Sequence, residues 1–390
     1  MIDYTPRLGR YENTAVAGET VRAFIPADLP PVPAVALDGM HTALEAANQA
    51  LGRLDGIASV LPDPSLFLYM YVRKEALLSS QIEGTQSSLS DLLLFEAEEA
   101  PGVPLDDPRE VSNYAAAMDH GLERLREGFP LSLRLIREIH AVLLSQGRGQ
   151  DKEPGEFRRS QNWIGGTRPG NAMFVPPPPH EVMPAMGKLE IFIHADIPNL
   201  PVLVKAALVH VQFETIHPFL DGNGRVGRLL ITFMLCERAV LRQPLLFLSL
   251  YFKQHRKTYY DLLQSVREQG AWEDWLAFFL AGVTETASLS TSTAQRMLQF
   301  FSEDHRKIEV LGRGASNPLR LHQLLRRRPL VTIPDAARML KLSQPTVTAG
   351  LRHLIDLGIV REMTGRQRNR IFVYQQYLDL LAEGTDPLPP

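Results

Sequence analysis

The chain has 390 residues, of which 45% are hydrophobic and 22% charged, with a formal net charge of −3. This is ordinary globular composition with length for two or three domains, and a charge so mild points to no partner by itself. One cysteine, Cys236, excludes an internal disulfide and reads as an inert core thiol; with no apolar leader and no apolar run long enough to cross a bilayer, the expectation is a cytoplasmic protein without a membrane span.

Residues 1–33, with Pro26, Pro30, Pro31 and Pro33, read as an irregular, extended strap. Ala34 to Val60 has helical apolar period until Pro62 and Pro64 break it. A second helix runs from about Ser65 to Glu83, and Gly84 is placed to stop it. Val111 to Leu125 and Leu131 to Leu144 read as amphipathic helices split at Gly128-Phe129-Pro130. Asn162 to Ile164 and Ala172 to Val175 read as two strands of a hairpin around a Gly- and Pro-bearing turn. Pro176 to Pro179 then form a rigid exit, with an SH3-type ligand as the other reading.

Val202 to Ile216 is apolar and free of Gly and Pro, hence a buried helix, and the next helix opens near Gly224 or Arg225. Leu245 to Ser265 carries several aromatics. Trp272 to Val283 and Met297 to Leu311 are apolar-periodic, and the Ser/Thr-rich piece between them is left open as helix or loop. Leu319 to Arg328 is one further helix. Ile333 to Leu340 and Gln344 to Leu357 have helix-turn-helix spacing, and the strands after Gly358 flank a basic wing, so this end resembles a winged helix domain. Eleven Lys and Arg against three acids between Leu319 and Tyr374 give it +8, a phosphate-facing balance. Gln344, Thr346, Thr348 and Arg352 are the groove-facing candidates for DNA, with protein interaction or dimerisation as the alternative.

The chemistry is concentrated between His217 and Arg228 (HPFLDGNGRVGR). Pro218 ends the preceding helix near His217. Gly222 and Gly224 permit a tight turn and close approach of a ligand to the backbone. A glycine turn opening a helix aims N–H groups at an anion, and Arg225 and Arg228, three apart, add positive charge to one face. Asp221 beside an anion site asks for a bridging hard cation, most simply Mg²⁺. His217 is the group able to take a proton near neutral pH. Each piece alone is commonplace: a capping histidine, a turn, a solvated arginine face. Together they describe transfer of a phosphate-containing group to a hydroxyl.

The stretch has the form His-x-Phe-x-Asp-Gly-Asn-Gly-Arg-x-x-Arg and resembles the signature of the Fic (filamentation induced by cAMP) family at all specified positions. The resemblance implies a mostly α protein: a Fic-type helical core with a small β-hairpin flap, plus the winged helix-turn-helix domain. It implies AMP transfer from ATP to a protein hydroxyl, with His217 as base and Phe219 as core anchor. Asp221 would hold the metal, Gly222, Asn223 and Gly224 would line the phosphate cradle, and Arg225 and Arg228 would grip the polyphosphate. Ser79 to Gly84 fits the family's inhibitory motif, Ser/Thr-x-x-x-Glu-Gly/Asn, so Ser79 and Glu83 would form a brake in which Glu83 meets Arg228. The hairpin is similar to the family flap, so Ile164, Gly165, Phe174 and Val175 would dock a target strand. Tyr260, or else Tyr259, would meet the adenine, although an Asn common seven residues further on is here Arg267.

The expected division is an N-terminal helical region over 1–110 with the inhibitory helix at about 65–84, and a catalytic core over 111–283. A connecting helix or linker over 284–317, a winged helix over 318–375 and a tail over 376–390 complete it. The target protein is not legible, and self-modification and a homodimer stay open. The reading of another class is a DNA-binding regulator using the core as a nucleotide sensor. Within the enzyme class, transfer of another nucleotide, phosphocholine or phosphate, or removal of AMP, also stays open.

Overall fold

The computed structural model describes residues 7–16, 18–60, 64–96, 106–365 and 370–388. It opens on an antiparallel hairpin of β1 (Gly9–Val16) and β2 (Glu19–Pro26), with Gly9 opposite Pro26 and Val16 opposite Glu19. This corrects the irregular strap expected at this end. The signal is a period of two in β2, where Val21, Ala23 and Ile25 are buried, diluted in β1 by polar residues.

Five helices follow: α1 (His41–Val60), α2 (Pro64–Ile82), α3 (Leu89–Glu96), α4 (Asp106–Arg126) and α5 (Leu133–Leu143). α1 begins after a turn in which the Met40 N–H meets the Leu37 carbonyl, not at Ala34. α2 stops where Gly84 takes φ of +103°, a conformation that favours glycine. The expected hairpin at 162–175 shrinks to one antiparallel bridge, Ile164 with Phe174. Pairing does not continue beyond it: the Val175 carbonyl goes to the Phe24 N–H of β2, and the prolines that follow have no N–H to give.

α6 (Pro179–His194), α7 (Val202–Ile216) and α8 (Asn223–Glu237) lead into α9 (Ser249–Gln254), α10 (Arg256–Gln269) and α11 (Trp272–Glu309). α7 is buried on every side from Leu203 to Ile216 and is enclosed by α6, α8, α10 and α11. The Trp275 indole donates to the Ala207 carbonyl at 3.0 Å, fastening α11 to it. α11 settles the open Ser/Thr-rich piece as helix. Thr284, Thr286, Ser288 and Thr291 each bond the carbonyl four residues back, so their hydroxyls are satisfied without leaving the helix.

The C-terminal part is α12 (Ser316–Arg327), β3 (Leu330–Thr332), α13 (Ile333–Leu340), α14 (Gln344–Asp356), β4 (Arg361–Glu362), β5 (Ile371–Val373) and α15 (Gln375–Ala382). The strands form one sheet in the order β3-β5-β4. Thr332 and Ser343 cap α13 and α14 with their hydroxyls. Residues 366–369 of the expected wing lie outside the described residues. Among the described residues no helix is long and apolar enough to cross a membrane.

The tail expected over 376–390 is in fact α15 as far as Ala382, and the stretch after that helix turns back onto α2. Lys74 donates to the Glu383 carbonyl at 2.8 Å and Gln81 to that of Thr385 at 2.8 Å. Lys253 donates to the carbonyls of Gly384 and Asp386. Both lysines are buried, and burial pushes their pKa values down to about 8. A chain ended at Ala382 removes these acceptors. Urea unfolding should then show a loss of roughly 2–6 kcal/mol, at about 1–3 kcal/mol for each of the two stranded lysines, since Gln81 keeps the Ser87 carbonyl. Lys74→Met in the full chain, which deletes the donor as well, should cost less.

Candidate active site

His217 closes α7 in the left-handed region (φ 49°, ψ 59°), its N–H still bonded to the Phe213 carbonyl at 2.9 Å. Gly222, at φ +78°, starts α8. Between them Phe219 is driven fully inside and stacks on the His140 ring at 3.7 Å between centroids. Asn223 closes the loop from within: Oδ1 accepts the Phe219 N–H at 2.8 Å and Nδ2 donates to the Phe219 carbonyl at 2.9 Å. Its side chain therefore faces the loop interior, away from the cradle expected of it.

Three neutral histidines support this turn. His140 Nδ1 accepts the Gly155 N–H at 2.8 Å, so Nε2 carries the proton and donates to the Asp221 carbonyl at 3.0 Å. His210 Nδ1 donates to the Gly227 carbonyl at 3.0 Å while Nε2 accepts the Tyr259 hydroxyl at 2.9 Å. Burial holds these two near 4 and near 3 respectively. His217 Nδ1 faces the Glu214 carbonyl at 3.4 Å, which leaves Nε2 with its lone pair. Burial, then the charges of Arg267 and Arg158, push His217 down to about 3, so the imidazole is neutral at pH 7.

The charged groups form two sets. Arg225, expected on the polyphosphate, is instead buried, with Nη1 3.2 Å from Glu110 and Nη2 3.3 Å from Asp221. Asp221 Oδ1 also accepts the Gly222 N–H at 2.5 Å. Arg228 is buried too; Nε donates to Ser79 Oγ at 2.8 Å, and Nη2 to the Ser79 carbonyl at 3.0 Å and to Glu83 Oε1 at 2.7 Å. Glu83 sits over the start of α8: a Cβ on Gly224 would lie 2.3 Å from its Oε1. Burial works to raise the Glu83 carboxyl, but the Arg228 charge and hydrogen bond, helped by Arg225, hold it below the ordinary range.

The two tyrosines separate. Tyr259 is 1% exposed and committed to His210, whereas Tyr260 is 40% exposed. On the flap, Ile164 and Phe174 form the bridge, Gly165 takes φ +67° against Met173, and the Val175 carbonyl accepts the Phe24 N–H of β2. Far from this cluster, on α14, Gln344 and Arg352 are exposed, while the hydroxyls of Thr346 and Thr348 bond Ser343 and the Gln344 carbonyl.

Family comparison decides what this loop belongs to. Residues 41–123 match the Fic/DOC family N-terminal region and residues 130–235 the Fic/DOC family itself. Over residues 41–123 and 130–235 the chain is therefore similar to the Fic/DOC family. Relatives named protein adenylyltransferase Fic include one from Culex quinquefasciatus, 32% identical over 191 residues, and one from Aedes aegypti, 34% identical over 191 residues. Each match covers 48% of this chain and 35% of the relative, so the matched stretch spans about a third of the relatives' length. Among solved structures, a Fic family protein from Desulfovibrio desulfuricans superposes with a TM-score of 0.56 at 19% identity, covering 88% of this chain and 97% of that one. A Fic domain-containing signaling protein from Bacteroides thetaiotaomicron gives 0.53 at 21% identity, covering 64% and 97%. The helical Fic fold with its small β elements therefore stands.

Sequence reasoning misses His140, Glu110, Arg158 and His210 in this Fic core. His140, Glu110 and Arg158 come from other helices or the flap lead, where no local spacing links them to the loop, and His210 is hidden among the apolar residues of α7 itself. Their effect on stability has a definite sign. The unfolded chain protonates His140 below about 6.5, whereas the folded one resists until about 4, so this residue makes stability fall as pH drops through that window. Glu75 and Glu214, raised by burial to about 7, act oppositely, their contribution fading as pH rises toward 7. The His140→Asn protein should lose about 1.4 kcal/mol less per pH unit than wild type between pH 6.5 and 4, read by urea unfolding at each pH.

Proposed function

We propose that this chain is a self-restrained protein adenylyltransferase that moves AMP from ATP to a Ser, Thr or Tyr hydroxyl of a protein, itself included. One observation carries the reading: a neutral His217, a glycine turn, Asp221 and Arg228 share a single loop, and Glu83 sits on Arg228. The relatives' shared name points the same way.

In the transfer, the target oxygen bonds the α-phosphorus while the bond to the β-bridging oxygen breaks. Pyrophosphate leaves with that electron pair, and the hydroxyl proton goes to His217 Nε2. An imidazole already neutral accepts it without first losing one. The start of α8 at Gly222 and Gly224 and the Arg228 guanidinium bind phosphate oxygens; Arg225 acts one step back, fixing Asp221. Among the described residues Asp221 engages its neighbours through Oδ1, so Oδ2 remains for a hard cation, and one carboxylate plus substrate phosphates is a donor set suited to Mg²⁺. When bound, that ion neutralises phosphate charge. Tyr260 is the aromatic open to the adenine. The flap at Ile164, Gly165, Phe174 and Val175 receives the target segment by strand pairing.

Glu83 restrains this site by occupying the guanidinium that a γ-phosphate needs. Full-length protein with labelled ATP and Mg²⁺ tests the reading. Glu83→Gly should raise AMP incorporation into protein by roughly ten- to hundredfold, the equivalent of a charged hydrogen bond of about 1.5–3 kcal/mol. His217→Ala in that background should lower it by about 10²–10⁴. Equal label with and without His217 would rule the mechanism out.

We further propose that the basic C-terminal part, with its helix-turn-helix spacing, is a winged helix whose α14 faces DNA. Its +8 charge and the exposed Gln344 and Arg352 support this. Arg352→Ala should weaken binding to duplex DNA and, if it meets a phosphate, flatten the salt slope by about one, read by gel shift. Unchanged affinity at every salt concentration would favour a protein partner for this face.

A further inference from the structure

Arg267 on α10 stands where the family pattern often has an asparagine near the adenine edge, and here its donors are already committed to protein. Nε donates to Thr215 Oγ1 at 3.2 Å, Nη2 to the Glu214 carbonyl at 3.1 Å and Nη1 to Gln264 Oε1 at 3.5 Å. The guanidinium carbon lies 4.1 Å from the centre of the Phe174 ring on the flap. One buried cation thus touches both the last turn of α7, which delivers His217, and the flap strand opposite it.

Arg158, in the lead into the flap, makes a second tie between the same two elements. Its Nε donates to the His217 carbonyl at 2.9 Å, and Nη2 to the carbonyls of Pro177 at 2.5 Å and Ile216 at 3.3 Å. Its backbone N–H meets the Pro218 carbonyl at 2.8 Å. Both arginines are more than nine-tenths buried, and their hydrogen bonds go to uncharged acceptors. Burial of that kind is costly unless geometry is gained in return.

We propose that Arg267, with Arg158 as its counterpart, is a positioning residue that locks the flap to the His217 turn, so that the docked hydroxyl and its base keep one spacing. The proposal rests on His217 being the base. It also accounts for the electrostatics of that imidazole. The charged groups that act on His217 are Arg267 from α10, Arg158 from the flap lead and Glu83 from the turn after α2; the first two favour the neutral form and Glu83 opposes them. From its own helix, Glu214 contributes its carbonyl.

The test uses full-length protein with ¹³C-labelled histidine, the His217 signal being assigned by its loss in His217→Gln. In Arg267→Met the His217 titration should move up by roughly one pH unit or more. Amide exchange across Ile164 to Phe174 should quicken by roughly tenfold, as expected for loss of a desolvated cation–ring contact. Arg267→Lys should restore the titration but only part of the flap protection. Phe174→Leu should quicken flap exchange and leave the titration in place, which keeps the idea testable if Arg267→Met does not fold. ATP affinity, measured by calorimetry with Mg²⁺ in the Glu83→Gly background, should stay within about twofold in Arg267→Met, a change worth well under 1 kcal/mol. Wild-type exchange and titration in Arg267→Met would overturn the proposal, as would a loss of ATP affinity with the flap unchanged. If these signatures appear while no variant transfers AMP, the tie stands and the transferase reading falls.

Discussion

A guanidinium taken out of water has to find acceptors, and at Arg228 that requirement organises the whole front of the molecule. Its partners are Ser79, through both hydroxyl and carbonyl, on the last turn of α2, and the Glu83 carboxylate just past its end. A buried cation stripped of such partners is strongly destabilising, so α2 stays docked until another anion takes its place. Gly224 is the concession that makes the contact close enough, since any side chain there would strike Glu83. α2 is held elsewhere as well: Arg256 bonds the Ile82 carbonyl, and carbonyls of the segment after α15 accept hydrogen bonds from Lys74 and Gln81. α2 is therefore wired both to α8 and to the C-terminal part.

Around that contact much of the loop is held by neutral groups and the rest by a second set of charges. Phe219 is clamped by Asn223 from inside and by the His140 ring from below. His140 and His210 each have one proton placed by a single arrangement of partners, so neither ring has a second tautomer to adopt. This is preorganisation by neutral hydrogen bonds in a dry interior, where they act more strongly than in water. His217 shares the interior but keeps one nitrogen unspent. Asp221 is fixed from both sides, by Gly222 and Arg225, and Arg225 is in turn fixed by Glu110.

Much of this was legible in the residues, for identifiable reasons. α7 and α8 are near-continuous apolar runs interrupted by Pro218 and two glycines, so their limits and the loop between them follow from local rules. The pairing of Glu83 with Arg228 follows only from family resemblance, because 145 residues separate the two. Arg225 shows the limit of local reasoning. Spacing puts it on the face of Arg228, yet Glu110, 115 residues away, draws it inside. The β1–β2 hairpin hid behind polar residues in β1, and the flap keeps a single bridge, with the Val175 carbonyl turned instead to the Phe24 N–H of β2. α11 could not be decided from composition, since serine and threonine favour loops unless their hydroxyls bond back along the helix, as they do here.

The central claim is that Glu83 occupies the guanidinium a triphosphate needs. The most direct measurement is a crystal structure of the Glu83→Gly protein with a non-hydrolysable ATP analogue and Mg²⁺. The account predicts the terminal phosphate against Arg228, with the α-phosphorus on the His217 side of the glycine turn. A triphosphate seated away from Arg228, with that side chain still confined to Ser79, would contradict it.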